Sequence, residues 1–356
     1  MEYRESLGVF SMCNLKEIQI VDATLRDGGL VNDFYFEDEL VKALYRTNRL
    51  TGVDYMEFGY KASKKMFDPA QNGKWKYCDD EEIRKVTEAA KASWECGPDG
   101  EGKGGHGSDA AGNDWPKIAV MADVGRCDYQ EDIRPKAESP IDMIRVATYL
   151  DTIPGAVEMI EDAATKGYEV SCNVMAISKS DEYDLKGSLE TLAKTPASVL
   201  YVVDSYGALY PDHAKRVVDT YLEVAAKYGK KVGMHAHNNL QLAFSNTILA
   251  KKLGATWLDG TYDSMGRGAG NCAMELLLSY LEREGFEKYH VTPALPFLDD
   301  YMEKLKAKGI VWGYDLQYLL TGRLNQHPRA AIKFTKEGRR DHEAFYHEIR
   351  EGNIGK

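Results

Sequence analysis

The sequence predicts an α/β protein built as a closed (β/α)8 barrel, the TIM-barrel class, with a C-terminal helical extension. Short β-branched runs alternate with amphipathic helical patterns over about 260 residues, as a parallel barrel requires. The strand candidates number eight, at 18–21, 55–58, 118–121, 143–146, 169–174, 199–203, 231–234 and 256–258. An open doubly wound sheet is the alternative. It is weakened because no GxGxxG phosphate loop follows the first strand.

Taken in order, the strand runs are separated by helical patterns at 38–49, 156–166, 212–228 and 240–253. The stretch 60–117 is longer than one loop and one helix need. Its first part, 61–80, is expected to fold over the catalytic end after the second strand. Its second part, 97–113, is rich in glycine and polar residues and reads as a flexible surface insertion on the opposite end. It lacks the GK[ST] ending of a phosphate loop. The barrel should occupy 1–284. The segment 285–356 should form the helical extension, with helices at 295–308 and 314–324 and a charged end, 341–356, that frays.

Composition narrows the function. Of the 356 residues, 44% are hydrophobic, enough for a full core. A net charge of −11 argues against nucleic-acid or anionic-membrane partners, which need a basic footprint. The six cysteines, Cys13, Cys78, Cys96, Cys127, Cys172 and Cys272, include no CxxC pair, so neither a disulfide framework nor a zinc ribbon is expected. The first fifteen residues lack the apolar core of a signal peptide, and no run is long enough to span a membrane. A reducing cytoplasm fits these features.

Three segments carry chemistry. In His235-Ala236-His237 the imidazoles lie two apart at a strand end, so they share one face and can bind one metal ion. Alone, the pair reads equally as two polar residues in a loop; Asn238 and Asn239 could orient the rings. Arg26 and Asp27 follow the first strand, on the catalytic rim of a barrel. Asp27 can complete a two-histidine site, and Arg26 can meet a developing enolate oxygen; the plainer reading is a helix cap beside an exposed arginine. Gly266-Arg267-Gly268-Ala269-Gly270-Asn271 lets backbone approach a ligand and offers the Asn271 amide oxygen as a fourth metal ligand; it is also compatible with an ordinary turn. The three segments end strands one, seven and eight, which are contiguous in a closed barrel. The oxygen and nitrogen donors favour Mn²⁺, with Mg²⁺, Co²⁺ or Zn²⁺ as alternatives, over soft-metal chemistry.

These motifs together resemble the metal-dependent DRE-TIM, or HMG-CoA-lyase-like, superfamily, which includes 4-hydroxy-2-oxovalerate aldolase, isopropylmalate synthase and HMG-CoA lyase. The resemblance runs from Ile18 to about Leu281. It implies that Asp27, His235 and His237 ligate the metal, that Asn271 coordinates or lies nearby, and that Arg26 stabilises an enolate. Isopropylmalate synthases carry Glu-Gln after RDG, where this chain has Gly29-Leu30. HMG-CoA lyases place a cysteine in the last glycine loop, which here reads Gly266-Arg267-Gly268. Asp204-Ser205-Tyr206-Gly207-Ala208 looks like the DSxGA segment of the aldolases, which makes that branch the leading reading.

One departure stands out: the aldolases have a general-base histidine where this chain has Leu30. Tyr60, Lys61, Tyr206 and Tyr314 are the candidates for a relocated base, although each reads first as a packing or substrate-contact residue. Glu57 is expected to hold Arg26 and, with Arg145, Asn173 and Asp204, is a candidate substrate contact. Trp312, Tyr314, Tyr318 and His327 read as packing residues of the extension. The expected activity is metal-dependent cleavage of a 4-hydroxy-2-oxo acid through a pyruvate-type enolate on the metal. An acyl-CoA-dependent condensing enzyme is the alternative; a two-histidine iron oxygenase and a non-catalytic metal-binding subunit fit less well. A 2-oxo acid is the expected partner. A homodimer is allowed, and family analogy alone suggests an aldehyde-processing partner enzyme.

Overall fold

The computed structural model describes residues 18–95 and 114–352. Eight parallel strands close in chain order: β1 (Gln19–Asp22), β2 (Tyr55–Tyr60), β3 (Lys117–Asp123), β4 (Met143–Thr148), β5 (Glu169–Val174), β6 (Val199–Asp204), β7 (Lys231–Ala236) and β8 (Trp257–Gly260). β1 pairs with β8 from Gln19↔Trp257 to Asp22↔Gly260 and seals the barrel. The (β/α)8 barrel read from the sequence is thus the fold. Seven of the strands run one or two residues beyond their β-branched runs, because the barrel ladder continues into polar and small residues at the catalytic end.

Period-two alternation divides each strand between two cores. Outward residues such as Ile20, Met56, Phe58, Val120, Ile144, Val170, Leu200, Val202 and Met234 join the helices in one large apolar cluster. Inward residues Val21, Tyr55, Ala119, Met143, Val199, Tyr201, Val203 and Trp257 fill the barrel axis. Burial on both faces is why the strands read as nearly continuous apolar runs.

The helices lie where the patterns place them, at Asp38–Thr51, Ile153–Thr165, Pro211–Tyr228 and Ala243–Leu253. The expected 61–80 loop contains a helical turn at Lys74–Lys76 that buries Trp75 5.5 Å from the Phe58 ring. A Cβ at Gly59 would fall 1.9 Å from the Trp75 carbonyl oxygen, so only glycine lets this turn close on β2. The insertion 97–113 lies outside the described residues. Among the described residues no helix is long and apolar enough to cross a membrane, and Cys78, Cys127, Cys172 and Cys272 are free and buried.

After the barrel, helical structure runs through Ala294–Phe297, a π-turn at Leu298–Met302, and Glu303–Ala307, then resumes at Leu316–Arg323, Arg329–Lys336 and His342–Arg350. The expectation that 341–356 frays is corrected as far as Arg350. Phe345 and Ile349 are fully buried in a separate cluster with Ala330, Ala331 and Phe334, which anchors the last helix; residues 353–356 lie outside the description. These helices cross the catalytic end of the barrel. The Gly313 amide donates to the Gly268 carbonyl at 3.1 Å, and Asn325 bonds both the side chain and the carbonyl of Ser178.

Removing the Phe345 ring should loosen this cluster alone. Phe345→Ala is expected to cost about 3–5 kcal/mol locally. Hydrogen exchange should accelerate in 316–350 while the barrel strands keep their protection. Equal acceleration in the strands would show that the cluster is not a separate unit.

Candidate active site

Alternation places Glu57, Arg145, Asn173, His235 and Asp259 in one inward layer, two residues above Tyr55, Met143, Ser171, Gly233 and Trp257. Gly233 leaves the axis free for the Tyr201 ring, which a Cβ there would approach to 2.5 Å. Arg145 lies over that ring at 4.5 Å.

The charged layer forms one chain of contacts. Arg26 Nε donates to Glu57 Oε2 at 2.7 Å, and Arg145 Nη1 sits 2.9 Å from the same oxygen. Arg145 Nη2 donates to Asp259 Oδ2 at 2.7 Å, and that oxygen is 2.9 Å from His235 Nδ1. A proton on Nδ1, shared with Asp259, leaves Nε2 as the lone-pair atom of His235, the form a metal requires.

Arg26 and Asp27 stand on the first turns of a short helix, Thr24–Asn32, that follows β1 directly. Arg26 Nη1 donates back to Asp27 Oδ1 at 2.9 Å. Gly28 lets this helix seat against Met265, whose sulfur a Cβ would meet at 2.8 Å. His237 lies just past β7 and forms an isolated bridge with Asn271, which is how the last glycine loop reaches the site. The Asn271 amide donates to Asp27 Oδ2 and to the Met265 carbonyl. Gly266 makes room, since a Cβ there would lie 2.2 Å from Asn271 Nδ2 and 2.7 Å from Asp27 Oδ2.

Asp27, His235 and His237 therefore converge, each offering a donor atom within 4.8 Å of the other two. All three are buried. Burial opposes ionising Asp27, but the surrounding charges, Arg26 among them, outweigh it and hold the carboxyl well below its ordinary range. Burial drives His237 far below the ordinary imidazole value, so it is neutral. An ionised carboxylate and a neutral imidazole are the ligand forms for a divalent cation. Asn271 Oδ1 is buried beside them without a hydrogen-bond partner, and oxygen plus imidazole donors suit Mn²⁺, Mg²⁺, Co²⁺ or Zn²⁺. The residues present fit a metal.

A cavity of about 60 Å³ opens above the triad, lined by Arg26, Leu30, Tyr60, Asn173, Tyr206 and the ligand residues, among others. Asn173 Nδ2 is buried there without a partner. Other sequence candidates lie elsewhere. Arg145 and Glu57 sit beneath the cavity, fully buried and paired with each other, so neither reaches a substrate. Asp204 accepts the backbone amides of Ala208 and Leu209 and caps its own loop; burial pushes it up to about 6. Lys61 is bound to Asp80 at 2.9 Å outside this cavity, and Tyr314 is half-exposed on the extension. Asn238 caps the Ala243 amide and Asn239 donates to the Tyr318 carbonyl, so neither orients a histidine.

Three residues here escaped the sequence reading. Asp259 orients His235; its signal was its inward parity on β8, where Met234↔Leu258 pairing puts it beside His235. Arg267 was given no role of its own within the glycine segment, and His327 was read as packing, yet both line the cavity.

Asp259→Asn should weaken metal binding about 10–100-fold, the usual cost of losing a ligand's hydrogen-bond partner, with the fold kept. His235→Ala and His237→Ala should abolish stoichiometric binding. Titration calorimetry with Mn²⁺ checks all three, and tight binding in both histidine variants would remove the metal assignment.

Comparison with known proteins agrees with this architecture. Residues 147–299 match the HMGL-like family model. Oxaloacetate decarboxylase of Mycobacterium tuberculosis is 26% identical over 270 residues, covering 76% of this chain and 71% of that protein. A 4-hydroxy-2-oxovalerate aldolase of Pelotomaculum thermopropionicum is 27% identical over 317 residues, covering 85% and 83%. The N-terminal domain of a candidate aldolase from Bacteroides vulgatus superposes with a TM-score of 0.70 at 27% identity, covering 89% of this chain and 96% of that one. The chain thus carries an HMGL-like domain, at residues 147–299, on a closed eight-stranded barrel, and its similarity to aldolases and to a decarboxylase marks it as a lyase.

Proposed function

We propose that the protein is a divalent-metal-dependent carbon–carbon lyase that cleaves a 4-hydroxy-2-oxo acid to pyruvate and an aldehyde. The observation that carries this is the convergence of Asp27, His235 and His237 beside a buried, fixed Arg26 in one cavity. A divalent cation held by these three ligands, Mn²⁺ foremost, would polarise the 2-oxo carbonyl.

The chain's own residues supply the rest. Glu57 aims the Arg26 guanidinium, which faces the negative charge that grows on the carbonyl oxygen as the C3–C4 bond breaks. The unpaired Asn173 amide donates to a substrate oxygen. Leu30, Met121, Met175 and Val203 form apolar wall that keeps water from the carbanionic carbon. Cleavage also requires the 4-hydroxyl proton to leave. Burial pushes the phenols of Tyr60 and Tyr206 up, so both stay protonated near neutral pH and act as donors. With Leu30 in place of a histidine, that proton passes to solvent water at the mouth of the cavity, away from the apolar wall.

A second reading follows from that same leucine. Loss of CO₂ from a 2-oxo dicarboxylate leaves an enolate with no hydroxyl proton to remove, so a decarboxylase needs no base where Leu30 stands. The relative named oxaloacetate decarboxylase points the same way. Pyruvate release from oxaloacetate and from a panel of 4-hydroxy-2-oxo acids, with Mn²⁺ and with chelator, separates the two. Release from the hydroxy acids supports the aldolase, release from oxaloacetate alone the decarboxylase, and release unaffected by chelator would sink both.

Arg26→Ala should lower kcat at least ~100-fold, the typical loss for one preorganised oxyanion partner, with metal content unchanged. The pH–rate profile for cleavage should rise with pH and show no inflection at the ordinary imidazole value of about 6.5. A plateau above an inflection there would show that a histidine serves as base.

A further inference from the structure

The upper part of the cavity has its own chemistry. Arg267 enters from the glycine loop after β8, and His327 from the link between the helices Leu316–Arg323 and Arg329–Lys336. Arg267 Nη1 and His327 Nε2 are 3.3 Å apart. The Arg329 backbone amide donates to His327 Nδ1 at 3.1 Å. A neutral imidazole carries one N–H, so with Nδ1 accepting, the hydrogen is on Nε2. A guanidinium has no acceptor atom. Two N–H donors therefore meet at the cavity wall with nothing between them to receive either. Arg267 Nη2 is used by the Ser205 carbonyl at 3.0 Å, while its Nε is buried without a partner.

The surroundings are cationic. Burial, then Arg267, Arg329, Lys179 and Arg126, push His327 down to about 3, which keeps the ring neutral, with a single N–H. Lys179 Nζ lies 5.3 Å from the Tyr206 ring, whose centroid is 5.7 Å from that of His327. Among the described residues none of these four cations has a carboxylate within 4.0 Å, in a chain whose net charge is −11. The floor of the cavity is different. There Arg26 is matched by Asp27 and Glu57. Asp27 is felt by Arg267 and Asp123 by Arg126, but neither carboxylate is in ion-pair contact with them. Donors without acceptors, among cations that lack a contacting carboxylate, are complementary to an anionic oxygen group.

We propose that Arg267 and His327, with Arg329, Lys179 and Arg126 around them, bind a second anionic group at the far end of the substrate. The lyase then takes 2-oxo acids that end in a carboxylate or a phosphate in preference to neutral chains. This rests on the 2-oxo acid reading of the metal floor and specifies its substrate class.

The test is calorimetric binding to the Mn²⁺-loaded protein of three non-cleavable probes: 2-oxoglutarate, 2-oxo-4-phosphonobutanoate and 2-oxopentanoate, the last ending in a methyl group. The two anionic probes should bind at least ~10-fold more tightly than 2-oxopentanoate, as charge-assisted pairing predicts. The tighter of the two identifies carboxylate or phosphate. Arg329→Gln, at an exposed position, should reduce the preference, and Arg267→Gln with Arg329→Gln should erase it, with melting temperature checked for each. Equal Mn²⁺-dependent affinity for all three probes, or a preference that survives the double variant, would overturn the inference and leave the metal reading standing. An anionic preference that is indifferent to Mn²⁺ would support this anion site and remove the metal-bound 2-oxo acid reading instead.

Discussion

One carboxylate oxygen, Glu57 Oε2, receives two guanidinium groups inside the barrel, and the geometry of the site depends on it. Glu57 and Arg145 are completely buried, and Arg26 is almost so. Isolated charges in such a place cost several kcal/mol each, so they persist only when paired with good geometry. The same contact fixes Arg26 on one side. Through Arg145 and Asp259 it also fixes the ring of His235 on the other. Arg26 and His235, the proposed charge-stabilising residue and one of the proposed metal ligands, thus share one rigid support. Glu57, Arg145 and Asp259 are positioning residues, and none of the three lines the cavity.

The charges around this support do not cancel. Asp27, Glu57 and Asp259 face Arg26 and Arg145, three carboxylates against two guanidiniums, which leaves one negative charge in a buried layer. A divalent cation would turn that remainder to plus one, and the carboxylate of a 2-oxo acid would bring it to zero. Low-dielectric surroundings make this neutrality worth more than it would be in water. One metal and one monoanion would balance the floor, in contrast to the cations around His327.

Legibility in the sequence followed locality. The strands were visible because burial on both faces writes long β-branched runs, and their order needed only right-handed βα connections. Arg26-Asp27, His235-Ala236-His237 and Gly266–Asn271 were visible because each is a compact motif at a strand end. Depth was harder to read. Arg145 lies three residues before the end of β4, so its side chain points into the charged layer below the cavity rather than toward its mouth. Asp204 does end β6, but the chain turns back and its carboxylate is consumed by the amides of Ala208 and Leu209. His327 had no local signal, because its meeting with Arg267 spans 60 positions and depends on how the extension is tied down. Asn325 on Ser178 and Asn239 on the Tyr318 carbonyl do that tying.

The attachment of the upper cavity to the extension separates two kinds of inheritance. Bond-breaking machinery resides on strand ends whose register is locked by neighbours on both sides, so it tolerates little drift. The wall that carries His327 and Arg329 comes from helices with their own small apolar cluster, joined to the barrel through a few polar ties. Substitutions there, or exchange of the whole segment, can alter which molecules enter while the catalytic register stays fixed. Divergence of selectivity within such barrels then needs no change in the residues that do the chemistry, and chimeras that combine one barrel with another's terminal helices become a practical route to new substrates.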